Sequence, residues 1–130
     1  MQKVQNLLLL ALLLGVSTVA CHKHDESDKD NPVVTITAPA IDASISGAVT
    51  IAGVVTDESL HELSIKVTKD SDNSELFSAT PEVHDLTSYT IAETWTPSGI
   101  AAETAVTLTV VAEDHNSNAI STTVKFKVKP

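Results

Sequence analysis

Apolar and polar residues alternate with a period of two over most of the chain. The pattern is clearest near the C-terminus, where Val124, Phe126 and Val128 alternate with Lys125 and Lys127. Strict alternation that is rich in valine, isoleucine and threonine is typical of β-strands with one buried and one solvent-exposed face. No part of this region shows the apolar stripe of an amphipathic helix. The pattern therefore predicts an all-β domain.

Turn-forming residues divide the alternating region into seven predicted strands. Seven short strands at this spacing favour a single immunoglobulin-like antiparallel β-sandwich, in which two sheets bury their inner faces together. Glu93 interrupts one apolar face between Ile91 and Trp95, which indicates a bulge, the rim of the sandwich or a shifted register. The predicted strands cover residues 33–37, 47–55, 62–68, 75–79, 88–95, 104–112 and 119–128.

The first 20 residues predict a secretory signal peptide that is not part of the fold. One positive charge, Lys3, precedes an apolar run at residues 7–14 that is too short to span a bilayer. Small residues then lead to Cys21, the only cysteine of the chain. This arrangement resembles a bacterial lipobox, and the resemblance implies cleavage before Cys21 and attachment of acyl chains to it. The alternative is an ordinary secreted protein whose cysteine lies there by chance.

Residues 21–31 predict a flexible acidic tether, because residues 22–31 contain no apolar side chain that could offset the entropy of ordering. The acidic cluster after Cys21 resembles the surface-export signal of lipoproteins in the Bacteroidota type of envelope, although His24 departs from that pattern. The resemblance implies an outer-membrane lipoprotein at the cell surface, with the periplasmic face as the alternative. We predict no fixed metal site at His22 and His24, because ordering the tether would oppose binding.

The remaining residues, 32–130, predict one domain with a single core. Without Lys3, 7 basic residues stand against 17 acidic ones, which is a net charge of −10. This charge repels nucleic acid, so a nucleic-acid partner is excluded. No nucleophile motif is present and a domain of this size has little material for a cleft, so we expect no enzymatic activity. Most of the few aromatic residues lie on apolar strand faces, which argues against a carbohydrate-binding surface.

Three stretches of the domain resemble bacterial immunoglobulin-like domains of surface lipoproteins. The resemblance covers nearly the whole domain and rests on "VVTITAPAIDASISGAVTIAGVVTD", "SYTIAETWTP" and "AVTLTVVAEDHNSNAISTTVKFKV". The chain lacks the cysteine pair of antibody domains, and Trp95 lies on the fifth predicted strand, not on the third. The resemblance implies an architecture and no particular activity.

Three histidines map to one end of the predicted sandwich, because its connections alternate between two ends. His61 closes the connection between the second and third predicted strands. His84 lies between the fourth and fifth strands, and His115 lies between the sixth and seventh. We refer to the end that carries His61, His84 and His115 as the histidine pole.

Three neutral imidazoles on separate loops suit zinc, copper or nickel and leave an open coordination position. Asp85 and Asp114 each adjoin a histidine in the sequence, and both are candidates to orient the rings by accepting the nitrogen protons that face away from the metal. One alternative is a set of solvated loop histidines. Another is a calcium site at Asp57, Asp85 and Asp114, although no calcium-loop spacing is present.

Two hypotheses for the function follow. The first is a lipid-anchored, non-catalytic binding or interaction module, held to the membrane through Cys21, that contacts an envelope or host protein. The alternative is a lipoprotein that binds a transition metal through His61, His84 and His115.

Overall fold

The structure is a computed structural model that describes residues 28–130. The predicted signal peptide, the predicted lipid attachment at Cys21 and the histidines at positions 22 and 24 lie outside the described residues. Residues 28–130 form strands joined by turns and contain no helix. It follows that this part of the chain has no helical segment of the length and hydrophobicity needed to cross a bilayer.

Eight strands make up the domain, and the prediction of an all-β fold is confirmed. Each of the seven predicted strands is present within a few residues of its expected bounds. One short strand, Ser44–Ser46, was not predicted, because three residues are too few to show a period. The strands are β1 (Val33–Ala38), β2 (Ser44–Ser46), β3 (Val49–Thr56), β4 (Leu60–Lys69), β5 (Glu75–Ala79), β6 (Ser88–Trp95), β7 (Thr104–Asp114) and β8 (Ala119–Lys129).

The strands form two sheets, as a β-sandwich requires. One sheet has three strands in the order β1-β3-β6, and the other has five in the order β2-β8-β7-β4-β5. Every pairing is antiparallel except that of β2, which runs parallel to β8. The expectation of purely antiparallel sheets is therefore wrong at this one edge. The turn before β2 is attached to β8 by two backbone hydrogen bonds of 2.8 Å, from Asp42 N to the Lys125 carbonyl and from Lys127 N to the Ala43 carbonyl.

The core consists of the inward-facing residues of both sheets. Each large aliphatic side chain buried in this way stabilises the fold by about 1.5–3 kcal/mol relative to exposure. Trp95 is buried at the end of β6, and its ring centroid lies 6.2 Å from that of Phe77. Fully buried aliphatic core residues include Val49, Ile51, Val55, Leu60, Ile65, Val67, Val83, Ile91, Val106, Leu108, Val110 and Val128.

The strand that contains Glu93 is regular. The pairing of β3 with β6 runs without a break from Val49 opposite Trp95 to Thr56 opposite Ser88. Glu93 is half-buried on the inward face of this strand. Because β6 is an edge of the three-stranded sheet, a carboxylate there can reach solvent without a bulge.

Three connections meet at one end of the sandwich. They join β3 to β4 (residues 57–59), β5 to β6 (residues 80–87) and β7 to β8 (residues 115–118). Backbone hydrogen bonds join the first connection to the other two, from Asp57 N to the Thr87 carbonyl at 3.1 Å and from His115 N to the Ser59 carbonyl at 3.2 Å. The histidine pole is therefore a hydrogen-bonded unit.

Candidate metal centre

A β-bulge positions His61 at the start of β4. The register against β7 shifts between Leu60 and Glu62, so His61 is an extra residue with no partner opposite. The bulge lets both Leu60 and Leu63 enter the core, although two residues three positions apart face opposite sides of a regular strand. His61 is thereby turned towards the outer rim of the five-stranded sheet, where it is partly exposed.

His84 lies in the connection of residues 80–87, between two residues that attach this connection to the domain. Val83 is buried in the core on one side. On the other side, the backbone N–H of Asp85 donates to the Leu60 carbonyl at 2.9 Å. Asp85 has a φ of 65°, a left-handed conformation that aspartate tolerates better than most residues. These contacts place the His84 ring beside the bulge.

The hairpin that carries His115 is built around the carboxylate of Asp114, which is 1% exposed. Its Oδ1 accepts the N–H groups of Asn116 and Asn118, each at 2.8 Å, and its Oδ2 accepts Nδ2 of Asn118 at 2.6 Å. Burial raises the pKa of Asp114, but the hydrogen bonds from Asn118 and Asn116 outweigh burial and hold this pKa below its usual value. Through these hydrogen bonds, the ionised carboxylate stabilises a turn that contains no glycine.

The three imidazole rings meet at the histidine pole. Their centroids are 4.5 Å apart for His84 and His115, 4.7 Å for His61 and His115, and 5.3 Å for His61 and His84. Each ring offers one nitrogen such that the three atoms lie within 4.8 Å of one another. Two nitrogens bound to one ion at about 2.0–2.1 Å lie at most about 4.2 Å apart, so any pair separated by more than this would have to move closer on metal binding.

Asp85 bridges two of the histidines through its two carboxylate oxygens. Oδ2 lies 3.0 Å from Nδ1 of His84, and Oδ1 lies 2.9 Å from Nε2 of His115. The hydrogen bond from His84 has the largest effect on the pKa of Asp85 and holds it below its usual value, and His115 acts in the same direction. One carboxylate therefore orients two rings from different loops.

The third histidine has a buried nitrogen without a partner. Nδ1 of His61 is inaccessible to solvent and is the one buried side-chain polar atom of the described residues that makes no hydrogen bond. Its other nitrogen, Nε2, lies 3.9 Å from a carboxylate oxygen of Glu62. A buried polar atom without a partner costs about 1–3 kcal/mol, so such atoms call for a ligand. A metal ion is one partner that would satisfy such a nitrogen if it bound there.

The two carboxylates predicted to orient the rings have different positions. Asp85 contacts two histidines, whereas none of the hydrogen bonds of Asp114 within residues 28–130 involves a histidine ring. Asp114 instead lies with Asp57 and Asp28, whose carboxylates approach to within 4.8 Å of one another. The trio proposed for calcium is therefore divided, because Asp85 lies on the histidine side. Asp28 was not foreseen, because no sequence pattern shows where the tether joins the domain.

An acidic groove of about 420 Å³ adjoins the histidines on the outer face of the five-stranded sheet. Its lining includes His61 and His84 together with the carboxylates of Glu62, Glu82 and Glu113, and no lysine or arginine. Clustered carboxylates without cations create a negative potential that attracts metal ions. The surroundings of the rings therefore favour a divalent cation.

Comparison with known proteins informs the fold alone. No protein-family model and no curated protein matches the chain. The crystal structure of an engineered protein aligns with 77% of this chain at a TM-score of 0.55 and 17% identity, and the chain spans 20% of that protein's length. CopC from Methylosinus trichosporium OB3b aligns over 77% of this chain and 93% of its own, at 12% identity and a TM-score of 0.46. The first likeness supports the β-rich fold, and the second is too low to carry an argument.

Proposed function

We propose that this protein binds a divalent transition metal ion through His61, His84 and His115. The observation that carries the proposal is the approach of three imidazole nitrogens to within 4.8 Å, with Nδ1 of His61 buried and without a hydrogen-bond partner. The fold alone brings the start of β4 and two loops to one end, but it does not require the three rings to meet or one nitrogen to lack a partner.

The hydrogen bonds of Asp85 suggest which nitrogens bind the metal. Asp85 occupies Nδ1 of His84 and Nε2 of His115, which leaves Nε2 of His84 and Nδ1 of His115 as ligands beside Nδ1 of His61. A carboxylate that accepts the proton of the second ring nitrogen fixes the tautomer and raises the basicity of the ligand. Asp85 is thus a positioning residue for two ligands at once.

The donor set favours zinc, copper(II) or nickel over calcium or magnesium. Imidazole nitrogen suits the later first-row metals, whereas calcium and magnesium require mainly oxygen ligands. Three imidazoles also leave one position free in a tetrahedral sphere, as an exchangeable site requires. The biochemical role that fits is capture or buffering of the metal without chemistry at a substrate.

The predicted signal peptide and lipid attachment indicate where in the cell this metal binding would take place. We propose that the domain is lipid-anchored through Cys21 and exposed at the cell surface, because the first 26 residues resemble a lipoprotein signal followed by an export signal. The alternative is an interaction module that contacts an envelope or host protein through the same end. Its loops would then bind a protein, and metal would have no effect on it.

Thermal unfolding in EDTA and in added zinc, copper(II) or nickel tests the proposal. A metal that binds only the folded state raises the unfolding free energy by about 2.7 kcal/mol at a hundredfold excess over the dissociation constant. Each of the single variants His61→Ala, His84→Ala and His115→Ala should lose most of the shift. Glu58→Gln, an exposed change in the same loop region, is the matched control and should keep it. If no metal shifts the unfolding midpoint of the unsubstituted protein, the metal-binding proposal is wrong and the interaction module is the remaining hypothesis.

A further inference from the structure

One edge of the three-stranded sheet, strand β6, is open to pairing with a further strand. β6 pairs with β3 on one side, and within residues 28–130 no backbone hydrogen bond reaches its other side. The strand has eight residues, and its register with β3 is unbroken. It contains no proline, glycine or lysine. An unpaired row of N–H and carbonyl groups of this kind is a template for another strand.

The other three sheet edges in the described part of the chain are protected. β2 has three residues, which is too short for a stable pairing. The register of β5 against β4 shifts, and so does that of β1 against β3. Pro32 and Pro39 also flank β1. Short strands, bulges and prolines are the devices by which proteins prevent pairing between sheet edges. The β6 edge therefore differs from the other edges of the same domain.

The surface beside this edge is uncharged, although the chain has a net charge of −9. The outward face of β6 carries Ser88, Thr90, Ala92 and Thr94, which are all exposed. The outward residues of the neighbouring strand β3 are also uncharged. Two copies of an acidic chain repel each other through most of their surface. They can approach with the least repulsion at this edge.

The inward face of β6 indicates how a second copy would pair. Glu93 and Tyr89 are both half-buried, and Glu93 forms no ion pair within residues 28–130. If two β6 strands pair antiparallel about Ile91, Glu93 of each copy lies opposite Tyr89 of the other. Side chains in such positions have Cβ atoms about 4.5–5.5 Å apart, and the tyrosine hydroxyl is a donor for the carboxylate. A register centred on Ala92 would instead place Glu93 opposite the buried Ile91, where a carboxylate has no donor.

We infer that a second copy of this chain pairs with β6, strand against antiparallel strand, about a two-fold axis at Ile91. The two three-stranded sheets then form one sheet of six strands. A single pair of strands buries less than the roughly 800 Å² per partner of a standard interface, so the dimer is weak and depends on concentration. The pairing does not use the histidine pole, and the inference is independent of metal binding.

The test uses residues 21–130 with Cys21→Ser, in EDTA so that no metal links copies through their histidines. Sedimentation velocity at increasing protein concentration measures the equilibrium between monomer and dimer. The variant Thr90→Lys/Ala92→Lys places like charges directly opposite each other in the predicted pairing. The matched control, Thr50→Lys/Thr56→Lys, adds the same charge to the same outward face, but on the middle strand β3.

We expect a dimer whose population rises with concentration. Thr90→Lys/Ala92→Lys should weaken dimerisation on the order of tenfold, while the control matches the parent protein. Equal weakening in both variants would indicate that the outward faces stack on each other, and it would overturn the pairing through β6. A parent protein that stays monomeric at every concentration would overturn the inference and leave the proposed metal binding unaffected.

Cysteine substitutions test the register without adding charge. Residue 90 lies opposite residue 92 of the other copy in the pairing about Ile91. Copies with Thr90→Cys should therefore form disulfides with copies that carry Ala92→Cys faster than either variant does with itself. Faster cross-linking of Ala92→Cys with itself would overturn this register. The cysteine variants also decide the matter if the lysine variant does not fold.

Discussion

Oδ1 of Asp85 lies 2.9 Å from Nε2 of His115, so a side chain of the β5–β6 connection reaches the β7–β8 hairpin. The second oxygen of the same carboxylate lies 3.0 Å from Nδ1 of His84. This bridge joins two loops that share no strand pairing, and it holds the two rings edge to face, with an angle of 79° between their planes. The two rings are therefore oriented without a metal, which would lower the entropy cost of the proposed metal binding.

Asp85→Asn should weaken metal binding by about 10- to 100-fold while leaving the fold intact. Asparagine keeps the size of the side chain and tolerates the φ of 65° at this position, but its amide is a weaker acceptor and can accept through only one atom. Competition titration with zinc measures the change. Asp42→Asn, which makes the same change at an exposed aspartate with a φ of 60° outside the histidine pole, is the control. Affinity equal to that of the unsubstituted protein would remove Asp85 from the site.

Asp114→Asn should lower the thermal midpoint of the metal-free protein and reduce its sensitivity to acid. In the variant, the side-chain NH2 group of residue 114 would face Nδ2 of Asn118, so two donors would meet where a donor and an acceptor now pair. The hairpin would also lose its ionised acceptor. Because the folded-state pKa of Asp114 lies below the ordinary value of 3.8, ionisation stabilises the fold above that value. This contribution is lost as the pH falls through the lowered folded-state pKa.

Thermal melts between pH 2 and pH 7 in EDTA measure this effect. The midpoint of the unsubstituted protein should fall more steeply towards low pH than that of the variant. Glu58→Gln, in a neighbouring exposed loop position, should leave the profile unchanged. Parallel profiles for Asp114→Asn and the unsubstituted protein would contradict the role given to this carboxylate.

Gly53→Ala should destabilise the three-stranded sheet by about 1–3 kcal/mol. A Cβ at Gly53 would overlap the carbonyl oxygen of Thr35, which lies on the neighbouring strand β1 next to its register shift. Urea unfolding gives the change in free energy. Val54→Ala, an exposed change on the same strand, should have a smaller effect. Equal stability of Gly53→Ala and the unsubstituted protein would mean that β1 moves at little cost.

Cys21→Ser should abolish acylation and release the protein from the membrane fraction. The prediction follows from the signal layout, since Cys21 is the only thiol and adjoins the expected cleavage site. Mass spectrometry of the mature N-terminus, in bacteria that process lipoproteins, measures the acyl chains. Ser17→Ala, which keeps a small residue before the cleavage site, is the control. An unmodified Cys21 in the unsubstituted protein would favour an ordinary secreted form.

The strands were predictable because the buried face of each strand shows directly as an alternation of apolar and polar residues in the sequence. The bounds of β5 and β6 agree with the predicted 75–79 and 88–95 at both ends. Alternation reports one buried face, so every strand long enough to show two or three periods could be found. β2 could not, because its three residues pair with β8 through contacts that only the closed sandwich creates.

The candidate site was predictable only in part. Alternation of the connections between two ends was enough to bring His61, His84 and His115 to one pole. The bulge that turns His61 outwards forms because both Leu60 and Leu63 are buried in the core. No local sequence pattern predicts that both leucines are buried. Likewise, Asp85 and Asp114 both adjoin a histidine, yet only the backbone conformation of each turn decides which carboxylate faces a ring.

The sequence by itself determined the two-sheet architecture and the end of the sandwich where the histidines lie. Both follow from periodic burial and chain connectivity, which are properties of the chain order. Tertiary structure alone decided the approach of three nitrogens to within 4.8 Å, the bridge through Asp85 and the entry of Asp28 beside the hairpin. These distances depend on side-chain direction and on contacts between residues far apart in the chain, and neither is encoded in a local pattern.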